Sequence, residues 1–361
     1  MLIQTSPTIR LFPPSPLRQQ NWTAEDFLMR RRFSLSLIAA LILIAAINEQ
    51  EDSEVASLIA ERTETNTSDV EKAIAALVEK RILLPAAWST EENVEWFQAT
   101  RELWETYGWA EAAEYHLATY DYRFAGGSDE GLLFARELML TYSKDEIDAN
   151  RFKSYENPAT SHALPRPSED LLSTPVLLKR EPERRQLTKE LLCEILSLAF
   201  GKTRSLQPQW NGAPVVLRTS PSGGARQPTE AYLIALDLPD LTSGWYHISM
   251  DQPALELLFD GVDEKELEQL FPTTCGRAPF RVRALLVLTS VFERNMYRYR
   301  EPRTFRTVHM DAGHLAATVE FAAEMSGART FVQYGGNEKA VEAKLGLDGL
   351  EEGVQLSISL G

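Results

Sequence analysis

The sequence predicts an α+β protein, with a mostly helical first half and a second half in which short strands and helices follow one another. Three observations lead there. Val70, Ile74, Leu77 and Val78 recur at helical spacing behind two earlier apolar segments. Short apolar runs at Ala213–Leu217, Ala231–Ala235, Gly244–Ile248 and Val282–Phe292 have the length and side-chain content of strands. Between the first two lies the stretch from Arg218 to Tyr232, which carries no large side chain from Pro221 to Gly224. The expected division is 1–90, 91–150, a connection over 151–186, and 187–361.

Composition narrows the classes. A hydrophobic fraction of 44% and a charged fraction of 25% are those of a soluble globular protein. The net charge of −15 argues against nucleic acid as a partner, since that needs a basic face. Cys193 and Cys275 make neither a disulfide framework nor a zinc set, so no metal is expected and a reducing cytoplasm fits. Phe33–Ile47 follows Arg30-Arg-Arg32 like the start of a signal peptide. It is shorter than the about 20 residues a bilayer span needs, and no cleavage site precedes Glu49-Gln-Glu-Asp52. A buried helix is expected there, and no membrane.

In chain order, Ile9–Phe12 ends in Pro13-Pro14 and suits an edge strand. The apolar helix is followed by Val55–Arg62, a polar break at Thr63–Thr67, and a helix capped by Ser68 or Asp69 with Glu71 in its first turn. That helix closes on Lys80-Arg-Ile-Leu-Leu-Pro85. Helix, turn, helix and short strand form a winged-helix-like pattern over 1–90. A DNA-reading helix would present basic side chains; this one carries Glu71, Lys72 and Glu79, so peptide binding by strand addition is the better expectation. A helical cap without a ligand is the plain alternative. Residues 92–150 read as helical, with His116 expected to be a buried structural histidine. The proline-broken stretch after it ends in Lys179-Arg180 and Arg184-Arg185.

The second half opens with a helix over Thr188–Phe200, stopped by Gly201. Residues 262–270 read as an acidic helix, and Val282–Phe292 as a strand buried on both faces. Asp311–Glu324 reads as a small-residue helix whose N-terminus begins near His314. Phe331–Tyr334 and Val354–Leu360 read as the last strands.

The Pro221–Gly224 turn is the chemical focus. Paired Gly223 and Gly224 let backbone N–H groups approach a ligand, Ser220 and Ser222 add hydroxyls, and Arg218 and Arg226 add positive charge. That suits a flat, hydrogen-bonding, anionic cofactor; an ordinary glycine-rich hairpin is the alternative.

Pro221-Ser-Gly-Gly224, Gly244-Trp-Tyr-His247, Arg303-Thr-Phe-Arg306 running into Asp311-Ala-Gly-His314, Leu345-Gly-Leu-Asp-Gly349 and a final Leu360-Gly361 follow one another in an order that resembles the SagB-type dehydrogenases. These are nitroreductase-like flavoproteins that mature ribosomally made peptides. Trp109–His116 is similar to their proteobacterial peptide maturation branch. The resemblance implies a nitroreductase-like, FMN-binding α+β sandwich, usually a homodimer with FMN at the subunit interface. The implied activity is dehydrogenation of azolines to azoles in a precursor peptide, with a cyclase as further partner. On that footing Ser220, Pro221, Ser222, Gly223 and Gly224 would meet the flavin, Arg218, Arg303 and Arg306 its phosphate, and Gly335-Gly336 its ring.

One departure concerns the base. Azole-forming members carry a Lys-Tyr pair, and the counterparts here are Arg298-Tyr299, or Met296-Tyr297 if the alignment slips. Arginine stays protonated and is a poor base. Tyr299 is the expected base, with Arg298 favouring its phenolate. The family's Arg-Arg-Ser segment has Lys179-Arg180 or Arg184-Arg185 as stand-ins. Two other readings remain: an NAD(P)H-dependent nitroreductase-like enzyme for small substrates, and a flavin-less peptide-binding scaffold.

Overall fold

The computed structural model describes the chain apart from residues 16–19, 28, 86–91, 121, 123–127, 167–182, 208–214 and 251, with only the backbone of 92–94 and 275. Two compact units result, Met1–Tyr122 and Arg123–Gly361. The boundary expected at residue 90 lies outside the described residues.

The first unit runs β1 (Leu2–Thr5), β2 (Ile9–Phe12), β3 (Trp22–Asp26), β4 (Arg31–Leu35), α1 (Leu37–Ala45), β5 (Gln50–Glu51), α2 (Asp52–Thr63), α3 (Thr67–Glu79), β6 (Leu83–Pro85), α4 (Glu92–Thr106) and α5 (Ala110–Thr119). β2, β3 and β4 form a meander with β2 at its edge. A second small sheet has the order β5-β1-β6. The three helices α1 to α3 bury Ile42, Leu43, Val55, Ile59, Val70, Ile74 and Leu77 in one core with Ile3 and Leu83. The apolar run is a shorter helix than expected: Phe33–Leu35 pair with β3, and Ser36 Oγ accepts from Ala39 N at 3.2 Å to start α1. No helix among the described residues is long and apolar enough to cross a membrane. α3 starts behind Asn66 rather than Ser68 or Asp69: Asn66 is extended and its carbonyl accepts the first helical bond, from Val70 N (3.3 Å), while Asp69 pairs with Lys72 Nζ (2.7 Å). His116 stacks on Trp104 with ring centroids 5.3 Å apart.

The second unit runs α6 (Asp129–Asp145), β7 (Ser161–Ala163), α7 (Lys189–Phe200), β8 (Lys202–Leu206), β9 (Val215–Arg218), β10 (Thr229–Ala235), β11 (Gly244–Ser249), β12 (Ala254–Asp260), α8 (Glu264–Leu270), α9 (Pro272–Arg277), β13 (Ala284–Val291), α10 (Glu293–Met296), α11 (Thr304–Met325), β14 (Thr330–Gln333), α12 (Glu338–Leu345) and β15 (Glu352–Leu360). Among the described residues seven strands form one antiparallel sheet in the order β14-β15-β13-β10-β11-β12-β7. Its edge strand β7 comes from the stretch expected to be a connection. On one face α7 and α11 bury Leu192, Ile195, Leu196, Ala316 and Val319 against Leu233, Leu286 and Ile358. On the other, α8 and α12 bury Leu267, Leu270, Val341 and Leu345 against Tyr232, Trp245 and Val287. The alternation of side chains along β10 feeds both cores, which is why the whole strand is buried. The result is a helix–sheet–helix sandwich.

α11 begins at Thr304, seven residues before the expected start. His314 therefore sits inside the helix, away from its N-terminal dipole.

Candidate active site

The register gathers the flagged residues. β10 begins opposite the end of β13, with Thr229 across from Ser290, and β13 ends opposite the start of β15, with Val291 across from Glu352. The turn before β10, the segment after β13 and the turn before β15 therefore meet at one end of the sheet. β14 runs antiparallel to β15 and points its Gly335-Gly336 the same way.

The Pro221–Gly224 turn is fastened to α11. Ser222 Oγ donates to Asp311 Oδ2 (2.7 Å), and Gly223 N donates to both Asp311 oxygens (3.1 Å). Ser222 Oγ also accepts from Gln227 N at 3.0 Å, and Ser220 Oγ lies 3.0 Å from His314 Nδ1. A Cβ on Gly223 would overlap Thr307, and one on Gly224 would overlap the Tyr299 hydroxyl. Gly224 also holds φ at +59°, where a side chain is strained. Burial raises the Asp311 carboxyl, while the hydrogen bonds from Ser222 and Gly223 work to lower it. The Ser222 hydroxyl and Gly223 N–H, expected to face a ligand, are thus spent on Asp311. Asp311 was visible only as part of a motif, and its role needs the helix face that carries Thr307, Asp311 and His314.

Behind the turn lies a buried charge cluster. Glu230 meets Arg294 Nη2 at 2.5 Å and His247 Nε2 at 3.1 Å, and His247 Nδ1 is 2.9 Å from Glu256. Burial opposes the charge on Glu230, but Arg294 and His247 outweigh it and hold the carboxyl down at about 2. Arg218 is buried too, and burial lowers it to about 10 against the attraction of Glu230. Its Nη2 has no hydrogen-bond partner among the described residues.

Tyr299 has its hydroxyl at Gly224 and the Arg298 guanidinium 5.0 Å from its ring centre. Tyr297 is placed differently. Its hydroxyl donates to Glu146 O (3.4 Å), and burial, with Asp148 and Glu146 nearby, raises its pKa. Arg303 caps α11 and Arg306 lies in its first turn, both half-buried. Gly335 and Gly336 are exposed, with Gly335 O accepting from Thr273 Oγ1 (3.1 Å). Lys179-Arg180 lie outside the described residues, and Arg184 is paired with Glu324 (2.8 Å). Among the described residues no group of three or more His, Cys, Asp or Glu side chains is placed to hold a metal ion.

The Nitroreductase family matches residues 181–361. The trifolitoxin-processing protein TfxB of Rhizobium leguminosarum bv. trifolii is 29% identical over 175 residues, covering 47% of this chain and 46% of that protein. The chain thus spans about half the length of that relative. A candidate nitroreductase of Methanocaldococcus jannaschii is 29% identical over 171 residues, 45% of this chain and 78% of its own. Among solved structures, a candidate nitroreductase of Anabaena variabilis has a TM-score of 0.47 at 23% identity, covering 63% of this chain and 45% of that one. The Escherichia coli microcin synthetase McbBCD complex with truncated pro-MccB17 bound has a TM-score of 0.42 at 19% identity, covering 62% and 80%. With half of its length matched, and with the sheet and helical layers described above, the chain belongs to the nitroreductase family.

Proposed function

We propose that the protein is an FMN-dependent dehydrogenase that oxidises a ribosomally made precursor peptide, of the azoline-to-azole type. The observation that carries this reading is the turn from Pro221 to Gly224, locked on α11 by Asp311, with the Tyr299 hydroxyl against Gly224. The likeness to a trifolitoxin-processing protein supports a role in maturation.

The residues fit a flat anionic cofactor. The Gly223 and Gly224 backbone packs directly on Thr307 and the Tyr299 hydroxyl, an approach only glycine allows, and the buried Arg218 keeps a donor unmet among the described residues. Arg218, Arg303 and Arg306 would hold the phosphate; Ser220, Pro221, Ser222, Gly223 and Gly224, with Gly335 and Gly336, would frame the rest. When bound, FMN would supply the hydride acceptor. The chain's own part is to orient the peptide and take the proton at Tyr299 Oη, with the Arg298 guanidinium 5.0 Å from the ring centre.

The homodimer belongs to the same reading. α11 exposes Met310 and Phe321, apolar side chains that a second copy would cover. In the first unit, β6 pairs only with β1 among the described residues. That leaves an edge where an extended leader peptide would add as a strand, while a partner cyclase and a cytoplasmic setting complete the picture.

The test is a visible absorption spectrum of purified protein, followed by heat release of any flavin. A yellow protein with about one FMN per chain, the stoichiometry the nitroreductase-like site implies, is expected. A colourless protein that does not take up added FMN would overturn the redox reading and leave only peptide binding.

A further inference from the structure

Tyr299 also lines a pocket of about 640 Å³ at the same end of the sheet. Its walls are mostly apolar, from Phe292, Met296, Pro302, Phe305, Val308 and Leu350. The Phe292 and Phe305 rings lie 5.8 Å apart at 44°. Asn295 lines this pocket and is fully buried, yet neither its Nδ2 nor its Oδ1 has a hydrogen-bond partner among the described residues. A buried amide left without partners is costly, so such groups are normally satisfied, by ligand where the protein does not do it. One donor and one acceptor side by side complement a peptide unit, which offers a C=O and an N–H.

The charges on the pocket argue against an anionic occupant. Glu301 lines it with Oε2 buried and without a hydrogen-bond partner among the described residues. The Arg300 guanidinium is engaged by Glu146 at 2.8 Å and lies 3.8 Å from the Tyr142 ring centre. A phosphate would meet a carboxylate and a cation already in use. A neutral, apolar group would meet neither difficulty.

Resting on the peptide-processing reading above, we propose that this pocket is a substrate subsite for an aromatic residue of the precursor. The side chain lies against Phe292, Met296 and Phe305, and its peptide unit exchanges hydrogen bonds with the Asn295 amide. Tyr299 is shared by the pocket and the Gly224 turn, so the subsite recognises a residue next to the one being oxidised.

The probe is N-acetyl-phenylalanine N-methylamide, titrated calorimetrically into the full-length protein, with N-acetyl-phenylalanine carrying a free carboxylate as control. The neutral probe binds and the anionic one binds more weakly. In Asn295→Leu the affinity for the neutral probe falls by about tenfold, as expected for lost hydrogen bonds, while flavin content is unchanged. Leu350→Asp, at a side chain 87% exposed and so harmless to folding, weakens the probe as well; it decides alone if Asn295→Leu does not fold. Unchanged affinity in the variants overturns the proposal. So does loss of flavin in folded Asn295→Leu, which would make the pocket part of the cofactor site. Absence of probe binding with a dimer that falls apart in Leu350→Asp would assign the face to a second copy, and also overturns it. A flavin-free protein that binds the probe through Asn295 sinks the redox reading but upholds the subsite.

Discussion

Asp311 sets the shape of the glycine turn, because one carboxylate takes both the Ser222 hydroxyl and the Gly223 N–H. An amide has one acceptor oxygen and would turn an NH₂ toward one of these donors. Asp311→Asn is therefore expected to loosen the turn, costing about 1–3 kcal/mol of stability for the unpaired donor and lowering flavin affinity; urea unfolding and flavin titration measure both. The sign with pH follows from burial, which raises this carboxyl. Its protonated form is favoured in the folded chain, so the stability it lends is greatest at low pH and declines as pH rises from the unfolded value through the raised one. Gly224→Val places a side chain on the Tyr299 hydroxyl at a left-handed φ. Purified Gly224→Val is expected to be colourless while keeping its helical circular dichroism. The turn's composition was readable in the sequence. That Asp311 would consume two of its donors was not, since that depends on which face of α11 lies against it.

At the scale of elements, the segment from Glu146 to Tyr155 acts as a strap over the end of the sheet. Asp148 joins Arg226 (2.5 Å) to Arg151 (3.1 Å), Asn150 O accepts from Arg294 Nε (2.9 Å), and Lys153 Nζ reaches both Glu352 and Tyr232 at 2.7 Å. The strap thereby braces the 294–300 segment that carries Asn295 and Tyr299. Burial opposes ionisation of Asp148, but the hydrogen bond and charge of Arg226, with Arg151, prevail and hold its carboxyl below the ordinary value. Its stabilising effect is present above the unfolded value of about 4 and is lost as pH falls through the lower folded value. Asp148→Asn is expected to cost about 1–3 kcal/mol at neutral pH and to flatten this acid limb, as followed by thermal unfolding at several pH values. The strap is polar and irregular, so nothing in its periodicity marked it; its partners lie tens of residues away in the chain.

Across the whole molecule, each unit buries its own apolar core. Residues 123–361 are expected to fold and bind flavin without the first unit, whereas residues 181–361, which the family match covers, lack the strap and β7 and are expected to be insoluble or flavin-free. Expression of the two pieces and their absorption spectra check this. Glu230 is buried between Arg294 and His247. Glu230→Gln leaves Arg294 without its counter-charge and is expected to cost about 3–5 kcal/mol, read from denaturant midpoints.

The sequence by itself determined the elements and the family. Apolar periodicity placed α3, α7, β10, β11 and β13 close to where they are, because local burial patterns and turn residues act over a few positions. It missed the strand character of Phe33–Leu35 and the early start of α11, where cross-strand pairing with β3 and packing on α7 and the sheet outweigh local preference. Motif order brought the Gly223-Gly224 turn and Tyr299 forward as site candidates. Only the tertiary structure decided that Asp311 fastens that turn, that the strap braces the wall beyond β13, and that the Asn295 side-chain amide lies buried beside an apolar pocket with no hydrogen-bond partner among the described residues. Those facts depend on contacts between distant segments, and antiparallel register, which brings the loops to one end of the sheet, exists only once the strands have paired.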